Sequence, residues 1–257
     1  MRQPSLFQAP SEWIPPENIP NLESATEIAI DLETHDPGLK TTGPGWAVKK
    51  GKVIGVALAV DGWQGYFPLA HPGGGNFDEK VFKRQLQKIL DLPCDKIFHN
   101  AMYDVGWLSA MGLEVKGRIC DTMIAAPLLD ENRRNYSLKE IAQEYVGETK
   151  SEAGLYEAAK DFGVDAKAEM HLLPAMYVGP YAEQDAAVTL KLWNALKVEL
   201  IRQELTSVFN LETELLPILF HMKRRGVRVD IEKAERLKAE FKAGEKKILE
   251  SLYKKCG

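Results

Sequence analysis

Cysteine is scarce in this 257-residue sequence, and the spacing of the few that occur excludes the sites that cysteine usually builds. Cys94, Cys120 and Cys256 are odd in number and form no C-x-x-C pair. A disulfide framework or a structural zinc site needs paired or clustered cysteines. The five histidines also lack the spacing of metal ligands. We therefore expect three reduced thiols and no zinc centre.

Long hydrophobic runs are lacking as well. No apolar run approaches the roughly 18 residues that a membrane-spanning helix requires. The first 20 residues, MRQPSLFQAPSEWIPPENIP, are rich in proline and contain no apolar signal core. A hydrophobic content of 45% and a charged content of 27% are ordinary for a globular protein. We expect a cytoplasmic protein without a membrane partner.

The chain has no excess of positive charge. Its formal net charge is −4, which by itself argues against strong general binding of nucleic acid. The segment 223–257 nevertheless holds 12 Lys or Arg against 6 Asp or Glu. This basic segment could contact the phosphates of a nucleic acid or form a solvated helix face, and the sequence is compatible with both.

Hydrophobic periodicity divides the chain into strands and helices. The predicted strands are 27–34, 53–60, 64–68, 96–99 and 115–120. The predicted helices are 78–90, 101–111, 121–131, one from 137, 181–205, 207–225 and one from 230, whereas 147–177 stay unassigned. Hairpin-connected strands followed by alternating strands and helices indicate an α/β fold with a mixed sheet flanked by helices. The predicted segments are an extended lead-in (1–26), an α/β domain (27–205) and a helical extension (206–257).

Two acidic residues end the first predicted strand, EIAIDLET. Asp31 and Glu33 lie two positions apart, so their side chains point to the same face of the strand. Two carboxylates this close resist joint ionisation, and a divalent cation between them removes that cost. Taken alone, the pair also fits two solvated acids at a strand end.

Two further pairs are spaced by four residues near predicted helix starts. Asn100 and Asp104 lie in HNAMYD, directly after a short strand, and Tyr181 and Asp185 lie in YAEQD. Positions i and i+4 share one helix face, so each pair is presented together. Each pair alone also has an ordinary explanation. The first can be an aspartate favoured by the helix dipole, and the second a core tyrosine beside a surface acid.

Together the motifs supply four carboxylates at strand ends or helix starts, where ligands of α/β sheets gather. They are Asp31, Glu33, Asp104 and Asp185. Oxygen ligands without His or Cys suit Mg²⁺ or Mn²⁺ rather than Zn²⁺. Two such ions about 4 Å apart can hold the attacking and leaving oxygens of a phosphodiester. The joint pattern therefore predicts a two-metal site.

The succession D-x-E-T, N-x-x-Y-D and Y-x-x-x-D resembles the three exonuclease motifs of the DEDD superfamily, and the tyrosine resembles its DEDDy branch. DLETHDPG, GPGW, HPGGGN, HNAMYD, CDTMIAAPLLDENRRNYSL and YAEQDA resemble the 3′→5′ proofreading exonuclease domain of family A DNA polymerases, most closely the bacteriophage kind. The resemblance covers about 27–230 and implies a ribonuclease H-like fold. The stretch LETELLPILFHMKRRGVRVD is similar to the segment that leads into the polymerase thumb.

The resemblance implies a 3′→5′ exonuclease that hydrolyses DNA to 5′-mononucleotides in replication proofreading. It implies two divalent cations, Mg²⁺ or Mn²⁺, held by the four carboxylates, and no small-molecule cofactor. Tyr181 and Glu33 would orient the attacking water. Three residues that adjoin the motifs are candidates for holding the terminal nucleotide: Thr34, Asn100 and Tyr103. The implied partners are single-stranded DNA 3′ ends and a polymerase domain, in cis or on a separate chain, in a bacterial or phage-infected cell.

The sequence also departs from the resembled family. The polymerase palm and fingers would need several hundred more residues, and the sequence ends at Gly257. We expect no template copying here, and both a fragment and a stand-alone version fit. Three alternatives stay open: a DEDD-type exoribonuclease, a non-catalytic module that binds single strands or a polymerase, and a cation-binding structural domain. The complete carboxylate set and the Tyr181 pairing favour a nuclease.

Overall fold

The computed structural model describes residues 11–148 and 152–256, so the first ten residues of the predicted lead-in lie outside it. Within the described residues, five strands form one mixed sheet in the order β3-β2-β1-β4-β5. They are β1 (Glu27–His35), β2 (Lys52–Val60), β3 (Trp63–Pro68), β4 (Asp95–Phe98) and β5 (Ile119–Asp121). β2 runs antiparallel to β1 and β3, and β4 runs parallel to β1 and β5. The predicted mixed sheet is confirmed.

Helices flank this sheet and follow it. Those of the described residues are α1 (Leu39–Thr42), α2 (Gly45–Val48), α3 (Glu79–Leu90), α4 (Ala101–Ala110), α5 (Thr122–Leu129), α6 (Leu138–Val146), α7 (Ala153–Phe162), α8 (Ala175–Arg202), α9 (Thr206–Arg225) and α10 (Ile231–Cys256). A short 3₁₀ helix, Met170–Leu172, precedes α8. The unassigned stretch 147–177 therefore contains α7, the 3₁₀ turn and the start of α8. None of the described helices is both long enough and apolar enough to cross a membrane.

The two faces of the sheet differ because side chains alternate along each strand. The face toward α3 and α4 carries large aliphatic side chains: Ile28, Ile30 and Leu32 of β1. The opposite face carries small ones, Ala29 of β1 and Ala57 of β2, and packs against α8. Asp31 and Glu33 share this second face by the same alternation. The sheet thus directs both acids toward the helix that carries Asp185.

The start of α8 was predicted wrongly. Pro180 suggested a helix beginning at Tyr181, but the helix begins at Ala175 and contains the proline. A proline inside a helix removes the hydrogen bond to the carbonyl four residues earlier, here that of Met176. The hydroxyl of Ser11 donates to this carbonyl at 2.8 Å. A residue far away in the sequence thus compensates part of the cost that the proline imposes.

The fifth strand is shorter than predicted and begins later. The sequence suggested 115–120, whereas β5 begins at Ile119. Gly117 adopts a φ of +82°, and a Cβ there would lie 2.5 Å from the carbonyl oxygen of Cys94. Only a glycine fits this turn, because the left-handed region disfavours side chains. The strand therefore begins only after this turn, at Ile119.

The chain forms two compact units, residues 1–221 and 222–257. In the first unit, Phe209, Leu216 and Phe220 of α9 are buried. In the second, α10 begins at Ile231, one residue after the predicted start, and Asp230 caps it, because its carboxylate accepts from the main-chain N–H of Lys233 at 2.9 Å. The described side chains of α10 are not buried. The proposed division at residue 205 stays a prediction.

Candidate active site

Three of the four predicted metal ligands form one cluster. Asp31, Glu33 and Asp185 each offer a carboxylate oxygen, and these oxygens all lie within 4.8 Å of one another. The first two come from the end of β1, and Asp185 comes from the buried side of α8. Three oxygen donors this close fit a hard divalent cation, which both satisfies their lone pairs and neutralises their charge.

The fourth predicted ligand, Asp104, lies beside this cluster. It is 4% exposed on the first turn of α4, and its carboxylate accepts from the main-chain N–H of Leu32 at 3.2 Å. Burial and the negative charge of Asp31 raise the pKa of Asp104 well above its usual range. A carboxylate in these surroundings favours binding either a proton or a cation.

Tyr181 lies one helical turn before Asp185 and is buried against the cluster. Asp185 lies within hydrogen-bond reach of its hydroxyl. Burial, with the charges of Glu33 and Asp185, raises the pKa of Tyr181 far above its ordinary value. The phenol therefore stays neutral and serves as a hydrogen-bond donor at the edge of the carboxylates.

Lys167 was not identified from the sequence. It lies between α7 and the 3₁₀ turn, and its ammonium group donates to the hydroxyl oxygen of Tyr181. The same nitrogen lies 4.0 Å from the centre of the tyrosine ring and 2.9 Å from a carboxylate oxygen of Glu152. A single lysine in a stretch without assigned structure carried no signal that could have found it.

Two of the predicted nucleotide-binding residues contact each other. The hydroxyl groups of Thr34 and Tyr103 lie 2.7 Å apart, and Tyr103 donates to a carboxylate oxygen of Asp36 at 3.1 Å. Because that carboxylate only accepts, Thr34 must be the donor to Tyr103. Burial raises the pKa of Tyr103 to about 12. Asp36, which the sequence did not single out, also accepts from the main-chain N–H of Gly45 at 2.9 Å.

The third predicted nucleotide-binding residue, Asn100, has an exposed side chain and a left-handed backbone with φ +76°. It occupies the N-cap position of α4 without capping it. Asp121 supplies the cap instead, since its carboxylate accepts from the main-chain N–H groups of Asn100 and Ala101 at 2.9 and 2.7 Å. The side chain of Asn100 is therefore not used by the helix end. Sequence reasoning identified Asp121 only as the start of the next helix.

Tyr66 and His71 form a buried layer beneath the acids. The Tyr66 ring crosses Gly55, where a Cβ would lie 2.0 Å from the phenol oxygen. Burial, together with the charges of Glu33 and Asp31, raises the pKa of Tyr66 well above its usual range. His71 Nδ1 contacts the carbonyl of Leu173 at 2.8 Å, so it must carry the proton. Its Nε2 then accepts from Tyr66 at 2.6 Å.

Comparison with known proteins shows the family of this chain. Residues 15–201, nearly three quarters of the chain, match the family model described as the 3′–5′ exonuclease of family A DNA polymerases. The chain belongs to this family. A DNA-directed DNA polymerase of Pseudomonas phage M6 is 38% identical to the exonuclease over 241 residues, which is 91% of this chain and 36% of the relative. The chain thus spans about a third of the length of this relative.

Solved structures share the fold of the exonuclease. The polymerase domain of Pol1 from M. smegmatis, solved with DNA primer-template and dNTP, matches with a TM-score of 0.61 and 19% identity, covering 90% of this chain and 34% of that one. NrnC of Brucella melitensis with bound Mg²⁺ matches with a TM-score of 0.59 and 22% identity, covering 81% of this chain and 90% of that one. These similarities confirm the predicted ribonuclease H-like architecture.

Proposed function

We propose that this exonuclease removes nucleotides from the 3′ end of DNA and serves in the proofreading of replication. The observation that carries the proposal is the convergence of Asp31, Glu33 and Asp185, three acids from two distant motifs, within 4.8 Å. Tyr181 lies beside them, and the chain belongs to a 3′–5′ exonuclease family. The proposed products are 5′-mononucleotides.

Two divalent cations, Mg²⁺ or Mn²⁺, are the proposed cofactors. Asp31, Glu33 and Asp185 would hold one, and Asp31 with Asp104 would hold the other. When bound, such ions lower the pKa of water and neutralise charge on the attacking and leaving oxygens of a phosphodiester. The chain itself contributes the close spacing of the clustered carboxylates and the burial of Asp104 and Asp185.

The proposed role of Tyr181 and Glu33 is to orient the attacking water. A neutral phenol can donate one hydrogen bond to an oxygen, and a carboxylate can accept one from the same molecule. Thr34, Asn100 and Tyr103 are proposed to hold the terminal nucleotide. The hydrogen bond between Thr34 and Tyr103 supports this role, because it holds both side chains in one place.

The proposed partners follow from the relatives, which are DNA polymerases of phages and bacteria. We propose that residues 206–257 correspond to the start of a polymerase thumb region. A polymerase domain, in cis or on a separate chain, would then deliver the 3′ end as a single strand. The proposed compartment is the cytoplasm of a bacterial or phage-infected cell.

A nuclease assay on end-labelled single strands tests the function. With Mg²⁺, a 5′-labelled DNA strand should give a descending ladder, and a 3′-labelled strand should release its label as a mononucleotide at once. Chelation should stop both reactions. Matched RNA strands test the exoribonuclease alternative, which predicts the faster rate on RNA. A protein that leaves both DNA strands intact in Mg²⁺ and Mn²⁺ contradicts the proposal.

A further inference from the structure

The loop before α8 places one ammonium group on the tyrosine of the candidate site. Lys167 donates to the hydroxyl oxygen of Tyr181 and lies 4.0 Å from the centre of its ring. Asp185 also lies within hydrogen-bond reach of this hydroxyl, and its negative charge contributes to the raised pKa of Tyr181. The phenol oxygen of Tyr181 therefore lies between a cation and the carboxylate cluster.

The chemistry of the two groups fixes the direction of this contact. An ammonium group has only donors, so the tyrosine oxygen must accept from Lys167. A phenol carries one proton, and rotation about its C–O bond determines where that proton points. With Lys167 as donor to the oxygen, the proton of Tyr181 is left to point at Asp185. The positive charge also draws electron density from the O–H bond and makes it a stronger donor.

The loop holds the backbone of Lys167 in place. Ala166 is 5% exposed and belongs to the core beside α8. The carboxylate of Asp165 accepts from the main-chain N–H groups of Lys167 and Ala168 at 2.9 and 2.7 Å. Only the side chain of Lys167 remains to be ordered, which lowers the entropic cost of the contact with Tyr181.

We infer that Lys167 is a positioning residue of the exonuclease reaction, which directs the Tyr181 hydroxyl proton into the carboxylate cluster. The inference rests on the proposed function for its catalytic consequence, but the contact itself is independent of it. Lys167 acts through Tyr181 and needs no contact with the substrate. Direct contact between the ammonium group and a substrate phosphate is the competing explanation.

The contact can be measured without activity. In metal-free protein carrying ¹³C-labelled tyrosine, the Cζ resonance of Tyr181 is the one of eight that Tyr181→Phe removes. Lys167→Met should shift this resonance, since the oxygen loses a charged donor. Lys160→Met removes an exposed lysine from α7 and should leave it unmoved. A Tyr181 resonance that is unchanged in Lys167→Met overturns the inference.

The catalytic consequence is measured with a double-mutant cycle. Lys167→Met should lower kcat on a 5′-labelled strand by about tenfold to a hundredfold, the value of one charge-assisted hydrogen bond, with KM within about twofold. In the Tyr181→Phe background the same change should cost nothing further, because the hydroxyl it orients is gone. Lys167→Gln keeps an N–H donor and should recover part of kcat, which separates orientation from loss of folded protein.

Three results have distinct meanings. Unchanged kcat in Lys167→Met overturns the inference. A loss that multiplies with that of Tyr181→Phe also overturns it, because the lysine then acts on the substrate directly. An inactive wild-type protein contradicts the proposed function instead, while the tyrosine resonance still tests the contact between Lys167 and Tyr181.

Discussion

Lys96 in β4 and the acids at the end of β1 are charged groups of the same sheet, but their surroundings are opposite. Lys96 is 0% exposed, and its ammonium group donates to the carbonyls of Leu92, Cys94 and Lys116 at 2.6, 3.0 and 3.1 Å. All three of its N–H donors are thereby used. Burial lowers the pKa of Lys96, and the nearby acid Asp95 acts in the opposite direction.

The acids at β1 are crowded by groups of their own charge. Asp31, Glu33 and Asp185 lie within 4.8 Å of one another, and the pKa of Asp104 is raised by burial and by Asp31. Like charges this close raise the free energy of the folded state, and binding of a cation or a proton lowers it. The comparison predicts that the satisfied charge serves stability, whereas the crowded charges serve the proposed binding of cations. Substitutions should therefore separate the two.

The largest effect should follow from removing one acid of the crowded cluster. Asp185→Asn should lower kcat by about a thousandfold or more, because it removes a ligand from the proposed cation site. Unfolding of the metal-free variant should show a midpoint equal to or above that of the wild type, since one like charge is gone. The exposed acid Glu157 of α7 offers the control, and Glu157→Gln should change neither quantity. Full activity in Asp185→Asn would contradict the assignment of the site.

The second effect should appear at the satisfied charge. Lys96→Met should lower the free energy of unfolding by about 3 kcal/mol, because three carbonyls lose the buried ammonium group that donates to them. Urea titration measures it against Lys88→Met, which replaces an exposed lysine of α3. The folded fraction of Lys96→Met should retain its exonuclease rate. A variant as stable as the wild type would show that the ammonium group is not needed by the fold.

The sequence predicted what local periodicity controls. Asp31 and Glu33 share a face because they are two apart on a strand, and Tyr181 and Asp185 because they are four apart on a helix. These spacing rules predicted the two pairs, and the presence of four carboxylates together predicted that they meet in one cluster. The sheet and most of its helices followed from the same periodicities.

Contacts between distant parts of the chain were not predictable in this way. The contact of Lys167 with Tyr181 joins a loop to a helix, and no spacing rule connects them. The start of α8 was missed because Ser11 donates to the carbonyl of Met176, 165 residues away, which Pro180 leaves without its helical partner. Asp121 accepts from the start of a helix 20 residues earlier, which its own position did not reveal. Such contacts, helix starts and caps depend on which distant residues the tertiary structure brings together.

A third, smaller effect should follow at Asp121, which resembles Lys96 as a satisfied charge. Its carboxylate accepts from Asn100, Ala101 and Met123. Asp121→Asn turns one acceptor into a donor that faces an N–H group, and should cost about 2 kcal/mol of unfolding free energy. Asp78→Asn changes the exposed cap of α3 in the same way and should cost less than about 1 kcal/mol. Equal losses in the two variants would contradict the importance of burial.

The smallest effect concerns pH and the buried layer beneath the acids. Burial lowers the pKa of His71 from its ordinary value of 6.5, so the unfolded chain binds a proton more readily than the folded one. The free energy of unfolding should therefore fall as pH decreases through 6.5, and level off below the folded pKa. His71→Gln should remove the part of this stability loss that His71 causes, which is about 1.4 kcal/mol for each unit by which its pKa is lowered.

The measurement is a set of urea titrations between pH 8 and pH 5. The buried acids Asp104 and Asp121 have raised pKa values, so they contribute in the opposite direction to His71. Their protonation increases the free energy of unfolding as pH falls. His171, whose pKa is also lowered, adds to the loss. All three remain in His71→Gln, so the difference from the wild type reports His71 together with its repulsion from His171. His221→Gln replaces an exposed histidine and should keep the wild-type slope. If His71→Gln keeps that slope too, protonation of His71 does not oppose folding.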